Sequence, residues 1–211
     1  VVCTCNRAAM LPQAIESLCR QRTDGLFSYE ILIVDDGSTD ETEQVVARLM
    51  SGNPAAPLRY CYKPAGGVAE ARNVGVREAA GEWIAFFDDD QIAEPQWLAE
   101  LVRISREKRT DCVGGPVSLL LSESVRRRFG PRSRQILGER DRGGSQSRYG
   151  SQDLPGTGNV LIAKHLFKAI GGFDTEMREG GCDTDFFMRM NRQGVEIWYA
   201  PKARVQHVIP P

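Results

Sequence analysis

The chain has 211 residues, a formal net charge of −1, 41% hydrophobic residues and 26% charged residues, the balance of an ordinary soluble globular protein with about one domain. That charge gives no overall pull toward nucleic acid or an acidic membrane, so any electrostatic partner must be sought locally. Six scattered cysteines without a C-x-x-C pair, and only two histidines, argue against a zinc module and for buried thiols in a reducing compartment. No apolar run is long enough to span a bilayer.

Val1-Val2-Cys3 ends a first apolar run and passes into Thr4, Asn6 and Arg7. Because the chain opens inside this strand, further residues are expected upstream. Leu11, Ile15 and Leu18 then share one helical face. Ile31 to Val34 is a second buried-strand candidate ending in Asp35-Asp36-Gly37-Ser38. Ser38 with Glu41 reads as a capping box for a helix reaching about Met50, stopped by Gly52-Asn53-Pro54. Leu58 to Tyr62 is a short strand. Gly66-Gly67 opens a helix from about Val68 to Ala80, with Gly81 just past its end.

Next, Trp83-Ile84-Ala85-Phe86-Phe87 runs without a break into Asp88-Asp89-Asp90, the pattern of a strand buried on both faces of a parallel sheet. Adjacent carboxylates repel unless they are solvated or neutralised by a cation. With Asp88 and Asp90 on one side and Asp89 on the other, an Asp-x-Asp pair of hard oxygen donors suits Mg²⁺ or Mn²⁺ shared with a phosphate. Alone, the three residues fit a solvated acidic turn equally well. Pro95 opens another helix, in which Trp97, Leu101 and Ile104 share a face. This strand–helix alternation points to a parallel α/β sheet. Three successive runs end in Thr4/Asn6/Arg7, Asp35/Asp36 and Asp88/Asp89/Asp90. Strand ends converging on one edge favour a ligand site, which in open α/β sheets lies beyond the carboxyl ends.

Val113-Gly114-Gly115-Pro116-Val117 looks like a strand with a glycine bulge, placed at an edge by Pro116. From Ser122 to Asp153 the composition shifts to Arg, Gly, Ser and Gln, and no helical or alternating pattern survives past Leu137. Arg126, Arg127, Arg128, Arg132, Arg134, Arg140, Arg142 and Arg148 make it locally basic. It reads as a long, partly mobile loop, a lid or a solvated excursion, within boundaries of about 118–155. Gly156 to Ile162 is a Gly-rich turn into a strand, and Lys164 to Ile170 a short helix ended by Gly171-Gly172. Gly180 to Asp185 enters a helix pairing Phe186 with Met190 and closed by Gly194. Glu196 to Tyr199 and Ala203 to His207 are the last strand candidates.

Taken together, Cys3-Thr4-Cys5-Asn6-Arg7, Val34-Asp35-Asp36-Gly37-Ser38-Thr39-Asp40, Ala71-Arg72-Asn73-Val74-Gly75 and Asp88-Asp89-Asp90 carry a resemblance over nearly all of the chain. Gly156-Thr157-Gly158-Asn159, Gly171-Gly172-Phe173-Asp174 and Gly181-Cys182-Asp183-Thr184-Asp185-Phe186-Phe187 complete it. In order and spacing these resemble the family 2 glycosyltransferases. The resemblance implies a Rossmann-like GT-A fold, one α/β domain with a mostly parallel central sheet flanked by helices. Residues 1–117 would form the nucleotide-sugar-binding half and 156–211 the acceptor-binding half.

The implied reaction is inverting transfer of a sugar from a nucleotide diphosphate donor, a UDP-sugar in the first instance, to an acceptor hydroxyl. Thr4, Asn6 and Arg7 would lie along the nucleoside, and Asp35 with Asp36 against the base. Arg72 would approach the donor, with Asp88 and Asp89 near the ribose and diphosphate. Asp90, with Asp88 and His207, would hold Mn²⁺ or Mg²⁺. Asp183 would be the general base, and Gly158, Asn159, Cys182 and Asp185 would face a glycan, lipid-linked or small-molecule acceptor. Nucleic acid is not expected as a partner. The expected location is cytoplasmic, with room for peripheral membrane association.

Cys182 replaces the glutamate that usually precedes the base, and Cys3 and Cys5 replace proline and tyrosine, which removes an aromatic from the nucleobase side. A catalytically impaired nucleotide- or glycan-binding module is therefore one alternative. A sugar nucleotidyltransferase is another, though it usually needs a Gly-rich basic loop after the first strand. On bland grounds Asp183 is a helix N-terminal acid, Arg72 a solvated charge and His207 a surface histidine.

Overall fold

The computed structural model describes residues 1–52, 57–177 and 180–209. In chain order the elements are β1 (Val2–Thr4), α1 (Leu11–Cys19), β2 (Ile31–Asp36), α2 (Thr42–Gly52), β3 (Leu58–Lys63), α3 (Val68–Glu78), β4 (Trp83–Asp88) and β5 (Gln91–Ala93). Next come α4 (Trp97–Lys108), β6 (Cys112–Gly114), β7 (Val117–Leu119), α5 (Glu123–Arg126), α6 (Pro131–Ile136) and β8 (Ser147–Arg148). The chain finishes with β9 (Asn159–Ala163), α7 (Lys164–Ile170), α8 (Cys182–Arg192), β10 (Ile197–Tyr199) and β11 (Val205–His207).

The main sheet has the order β3-β2-β1-β4-β9-β6-β10-β8. β3, β2, β1 and β4 are mutually parallel, whereas β9 runs antiparallel to both β4 and β6, and β8 antiparallel to β10. Every residue of β2 and β9 is buried, which is why Ile31–Val34 and Val160–Ala163 read as apolar runs. One face is covered by α1, α2 and α4 through Leu11, Ile15, Leu18, Val46, Trp97 and Leu101. The other is covered by α3, α7 and α8 through Val74, Leu166, Phe167, Phe186 and Met190. A small second sheet, β5-β11-β7, lies beyond the carboxyl end of β4. Among the described residues no helix is long and apolar enough to cross a membrane.

Several local expectations change. Ser38 does not cap α2. Its hydroxyl accepts the Asn6 N–H, and Asp40 receives the Thr42 N–H at 3.0 Å and the Ala8 N–H at 3.1 Å, because a carboxylate two residues before the helix serves both segments. α2 ends at Gly52, and the proposed stop at Asn53-Pro54 lies outside the described residues. α3 ends at Glu78 with an extended Ala79, two residues before the expected end at Ala80. α4 starts at Trp97, two residues after Pro95. The single bulged edge strand at 113–117 is two strands in different sheets, with β6 inside the main sheet between β9 and β10. Gly115 is the junction: a Cβ there would lie 2.3 Å from Ala203 O and 2.6 Å from Asn159 Nδ2.

The stretch expected as an unpatterned loop carries α5, α6 and β8. Much of its basic charge is internally paired. Glu139 receives Arg126 and Arg134, Arg140 exchanges both backbone hydrogen bonds with Val117, and Arg142 pairs with Asp153 and lies 4.5 Å over the Tyr149 ring.

Candidate functional site

The carboxyl ends of β1, β2 and β4 do converge, with Thr4, Asp35 and Asp36 beside the Asp88–Asp90 turn. Asp90 sits where three elements meet. Its Oδ2 lies 3.4 Å from His207 Nε2 on β11 and 3.9 Å from an Arg7 guanidinium nitrogen in the loop after β1. The antiparallel pairing of β11 with β5 places His207 opposite Gln91, one residue past Asp90. His207 Nδ1 lies 3.1 Å from the Leu137 carbonyl. That oxygen can only accept, so Nδ1 carries a proton and Nε2 is the nitrogen turned to Asp90. The hydrogen bond to Asp90 raises the histidine pKa against the opposing effect of burial.

Asp88 points into the protein. Its Oδ2 lies 3.3 Å from Gln91 Nε2, and a Cβ on Gly158 would lie 2.3 Å from that same oxygen. Gly158 is therefore a cradle for Asp88. Burial pushes the Asp88 carboxyl up to about 6, opposed by Arg72 and reinforced by Asp90 and Asp89. Asp89, 8% exposed, is likewise raised by burial. The Thr4 hydroxyl acts on the Asp89 carboxyl, whereas the buried Gln91 Oε1 has no hydrogen-bond partner among the described residues. Such an atom is costly unless something satisfies it.

Arg72 extends from α3 to the start of α8. It donates to Cys182 Sγ at 3.1 Å, lies 5.6 Å over the Phe173 ring, and acts electrostatically on Asp88. Cys182, 1% exposed, is thus buried against the arginine. Asp183, half-buried in the first turn of α8, accepts the Thr184 N–H on Oδ1 at 2.8 Å. α8 begins after Gly180 and Gly181, both at positive φ (112° and 82°), a turn that residues with a Cβ rarely adopt.

Other expected site residues also make hydrogen bonds within the protein. Asp35 accepts the Ser38 N–H at 2.8 Å and the Tyr60 hydroxyl at 2.7 Å, one on each oxygen. Asp36 is paired with Lys63 and accepts the N–H groups of Gly66 and Gly67 at 2.9 and 2.8 Å. With exposures of 1% and 8%, these carboxylates fix the turns at the end of β2, and each oxygen keeps a second lone pair with which it can still accept a hydrogen bond. Asn6, at φ 54°, accepts the Thr39 and Asp40 N–H groups. Asp185 is paired with Arg189, which also donates to Ile170 O and Gly172 O. Asn159 is buried, accepting from Trp97 Nε1 at 2.7 Å and donating to Pro116 O and Ala203 O. Replacing Asn159 with alanine is expected to cost about 3 kcal/mol of stability, since each lost buried hydrogen bond costs about 1–3 kcal/mol. Urea unfolding measures this, and a loss below about 1 kcal/mol would contradict the scaffold role.

Sequence reasoning missed Gln91, Tyr60, Lys63 and Asn73. Asn73, inside the Ala71-Arg72-Asn73 motif, clasps the Phe173 backbone with bonds of 2.8 and 2.9 Å. Only its place in that motif signalled it. A cleft of about 610 Å³ opens beside the acidic turn, walled by Arg7, Met10, Gln13, Asp90, Gln91 and Val208. Another cavity of about 570 Å³, walled by Val1, Phe27, Trp83 and Leu98, contains none of the three aspartates. It lies at the amino ends of the strands, away from this chemistry.

Among the described residues no group of three or more His, Cys, Asp or Glu side chains is placed to hold a metal ion. Asp90 and His207 nevertheless form an open oxygen–nitrogen pair with Asp88 behind it, and Mg²⁺-type ions commonly take one or two protein carboxylates and fill their other positions with phosphate and water. The residues fit a divalent ion shared with a bound diphosphate.

A sequence profile of "Glycosyl transferase family 2" matches residues 1–168. Succinoglycan biosynthesis protein ExoM of Rhizobium meliloti is 25% identical over 213 residues, 99% of this chain and 66% of that protein. The mannosyltransferase PcManGT of Pyrobaculum calidifontis, solved with GDP-Man and Mn²⁺, superposes with a TM-score of 0.73 at 21% identity, covering 99% of this chain and 56% of that one. GalNAc-T7, solved with UDP, GalNAc and Mn²⁺, gives 0.74 at 17% identity over 99% and 43%. The fold is thus that of the GT-A glycosyltransferases, and the chain spans less than two thirds of the length of these relatives.

Proposed function

Since this chain belongs to glycosyl transferase family 2, we propose that it transfers a sugar, with inversion, from a nucleotide diphosphate donor to an acceptor hydroxyl. The observation that carries this reading is the meeting of Asp90, His207 and Arg7 at the carboxyl edge of the sheet. Arg72 links that edge to the helix bearing Asp183.

In this reading the nucleoside enters past Thr4 and Arg7. The diphosphate lies over Asp88–Asp90. Asp90 and His207, with Asp88 nearby, would hold Mn²⁺ or Mg²⁺. The ion supplies a positive charge that stabilises the departing diphosphate. Arg7 and Arg72 add fixed positive charge at the same oxygens without reorganising, the most effective form of electrostatic stabilisation. Asp183 takes the proton of the acceptor hydroxyl, which is too weak a nucleophile by itself. Position in the first turn of α8 stabilises the carboxylate, so the proton moves late, after the leaving group has largely departed. Cys182 leaves Arg72 without a carboxylate partner on that side, keeping its charge available to the donor.

UDP-sugars are the first donors to try, with GDP-sugars next, as PcManGT was solved with GDP-Man. The acceptor class stays a glycan, a lipid-linked sugar or a small molecule, and the site faces the cytoplasm. Incubation with a panel of nucleotide sugars should release the nucleoside diphosphate, and proton NMR of the product should show the opposite anomeric configuration to the donor. Retained configuration would overturn the single-displacement mechanism.

A further inference from the structure

We propose that the stretch from Leu120 to Leu137, which carries α5 and α6, is a docking surface for an anionic lipid bilayer. Neither helix contains a buried residue, whereas every other helix of the described residues buries at least three. Helices this short do not persist on their own hydrogen bonds, so this surface calls for a covering partner. Leu120, Phe129 and Ile136 are exposed by 43%, 37% and 87%. Between them stand Arg126, Arg127, Arg128, Arg132 and Arg134 against a single acid, Glu123, in a chain whose overall charge is −1. Arg126 and Arg134 are tied to Glu139 and Arg127 to Glu123. Arg128 and Arg132 have no acidic partner among the described residues.

Exposed large apolar side chains interleaved with arginines match an interface in which the apolar groups enter the headgroup boundary and the guanidinium groups stay among phosphates. A polyanionic glycan would use the arginines but would gain little from Ile136 or Phe129, which favours lipid. The surface also abuts the candidate site, since Leu137 O accepts from His207, and a Cβ on Gly138 would lie 3.2 Å from the same imidazole. Docking would bring the cleft to the bilayer, within reach of a lipid-linked acceptor; that last consequence rests on the proposed transferase function, whereas the docking itself does not.

Co-sedimentation of the 211-residue chain with phosphatidylcholine vesicles, with and without roughly 30% phosphatidylglycerol, tests it. Binding is expected only with the anionic lipid, weakened by salt. Arg127→Gln with Arg128→Gln and Arg132→Gln, and separately Phe129→Ser with Ile136→Ser, should each weaken it about tenfold or more. Nucleoside diphosphate affinity and the far-UV spectrum should not change, so failure to dock and failure to bind donor are read separately. Absence of binding to the anionic vesicles would overturn the proposal, as would variants that bind like the parent chain. A dimer in solution that dissociates on Ile136→Ser would assign the face to a second copy and overturn it equally.

Discussion

Replacing Asp183 with asparagine is expected to lower the rate of sugar transfer by about a thousandfold, within the range that a positioned general base contributes, while donor affinity stays within about twofold of the parent. The asparagine keeps an Oδ1 that can accept the Thr184 N–H, so the first turn of α8 is preserved. The rest of the helix is anchored by Phe186, Phe187 and Met190, all fully buried. Loss of the carboxylate from a helix N-terminus costs only about 0.3–1 kcal/mol, so the variant remains folded. The Arg72–Cys182 contact is one residue away and does not depend on the Asp183 charge. What disappears is the oxygen able to take the acceptor proton. Single-turnover kinetics beside equilibrium donor binding separates the two effects, and transfer within about tenfold of the parent would remove Asp183 as the base.

Asp90→Ala carries the second large expectation. This carboxylate lies 3.4 Å from His207 Nε2 and within 3.9 Å of Arg7. Its removal should weaken nucleoside diphosphate binding in the presence of Mn²⁺ about a hundredfold, roughly 2.7 kcal/mol. Affinity without metal should change little or even rise, because a negative charge near the diphosphate is gone. His207→Ala should show the same pattern more weakly, since a single imidazole is replaceable by water in the coordination of a hard ion. An Asp90→Ala protein that still binds more tightly when Mn²⁺ is added would place the ion elsewhere.

The framework was legible because its signals were local. Ile31–Val34 and Val160–Ile162 are apolar runs in fully buried strands, Ile84, Phe86 and Phe87 are buried in β4 although Trp83 at its start is exposed, and the helical faces at Leu11/Ile15/Leu18 and Phe186/Met190 are buried as their spacing required. Convergence of three strand ends followed from parallel pairing alone. Less legible were the partners that each polar residue at that edge takes up within the protein. Asp35, Asp36, Asn6, Asn159 and Asp185 lie in the same motifs as Asp90 and Asp183, yet each is absorbed by partners distant in sequence: Tyr60, Lys63, Thr39, Trp97 and the Arg189 clasp on Gly172. Residue type and spacing carry no information about such long-range partners. The 113–117 stretch failed for a related reason, since its division between two sheets is imposed by the close approach of Ala203 and Asn159 to Gly115. His207 had no spacing signal of its own and was reached through the family resemblance. Its place beside Asp90 comes from the β5–β11 pairing.

The most direct test of the donor site is calorimetric titration of the 211-residue chain with UDP, GDP and TDP, with and without Mn²⁺. A cation held by Asp90 and His207 with a shared diphosphate requires that at least one of these nucleotides bind, and bind more tightly when the metal is present. Failure of all three to bind with Mn²⁺ in solution would contradict the assignment of the Asp88–Asp90 edge as a donor site.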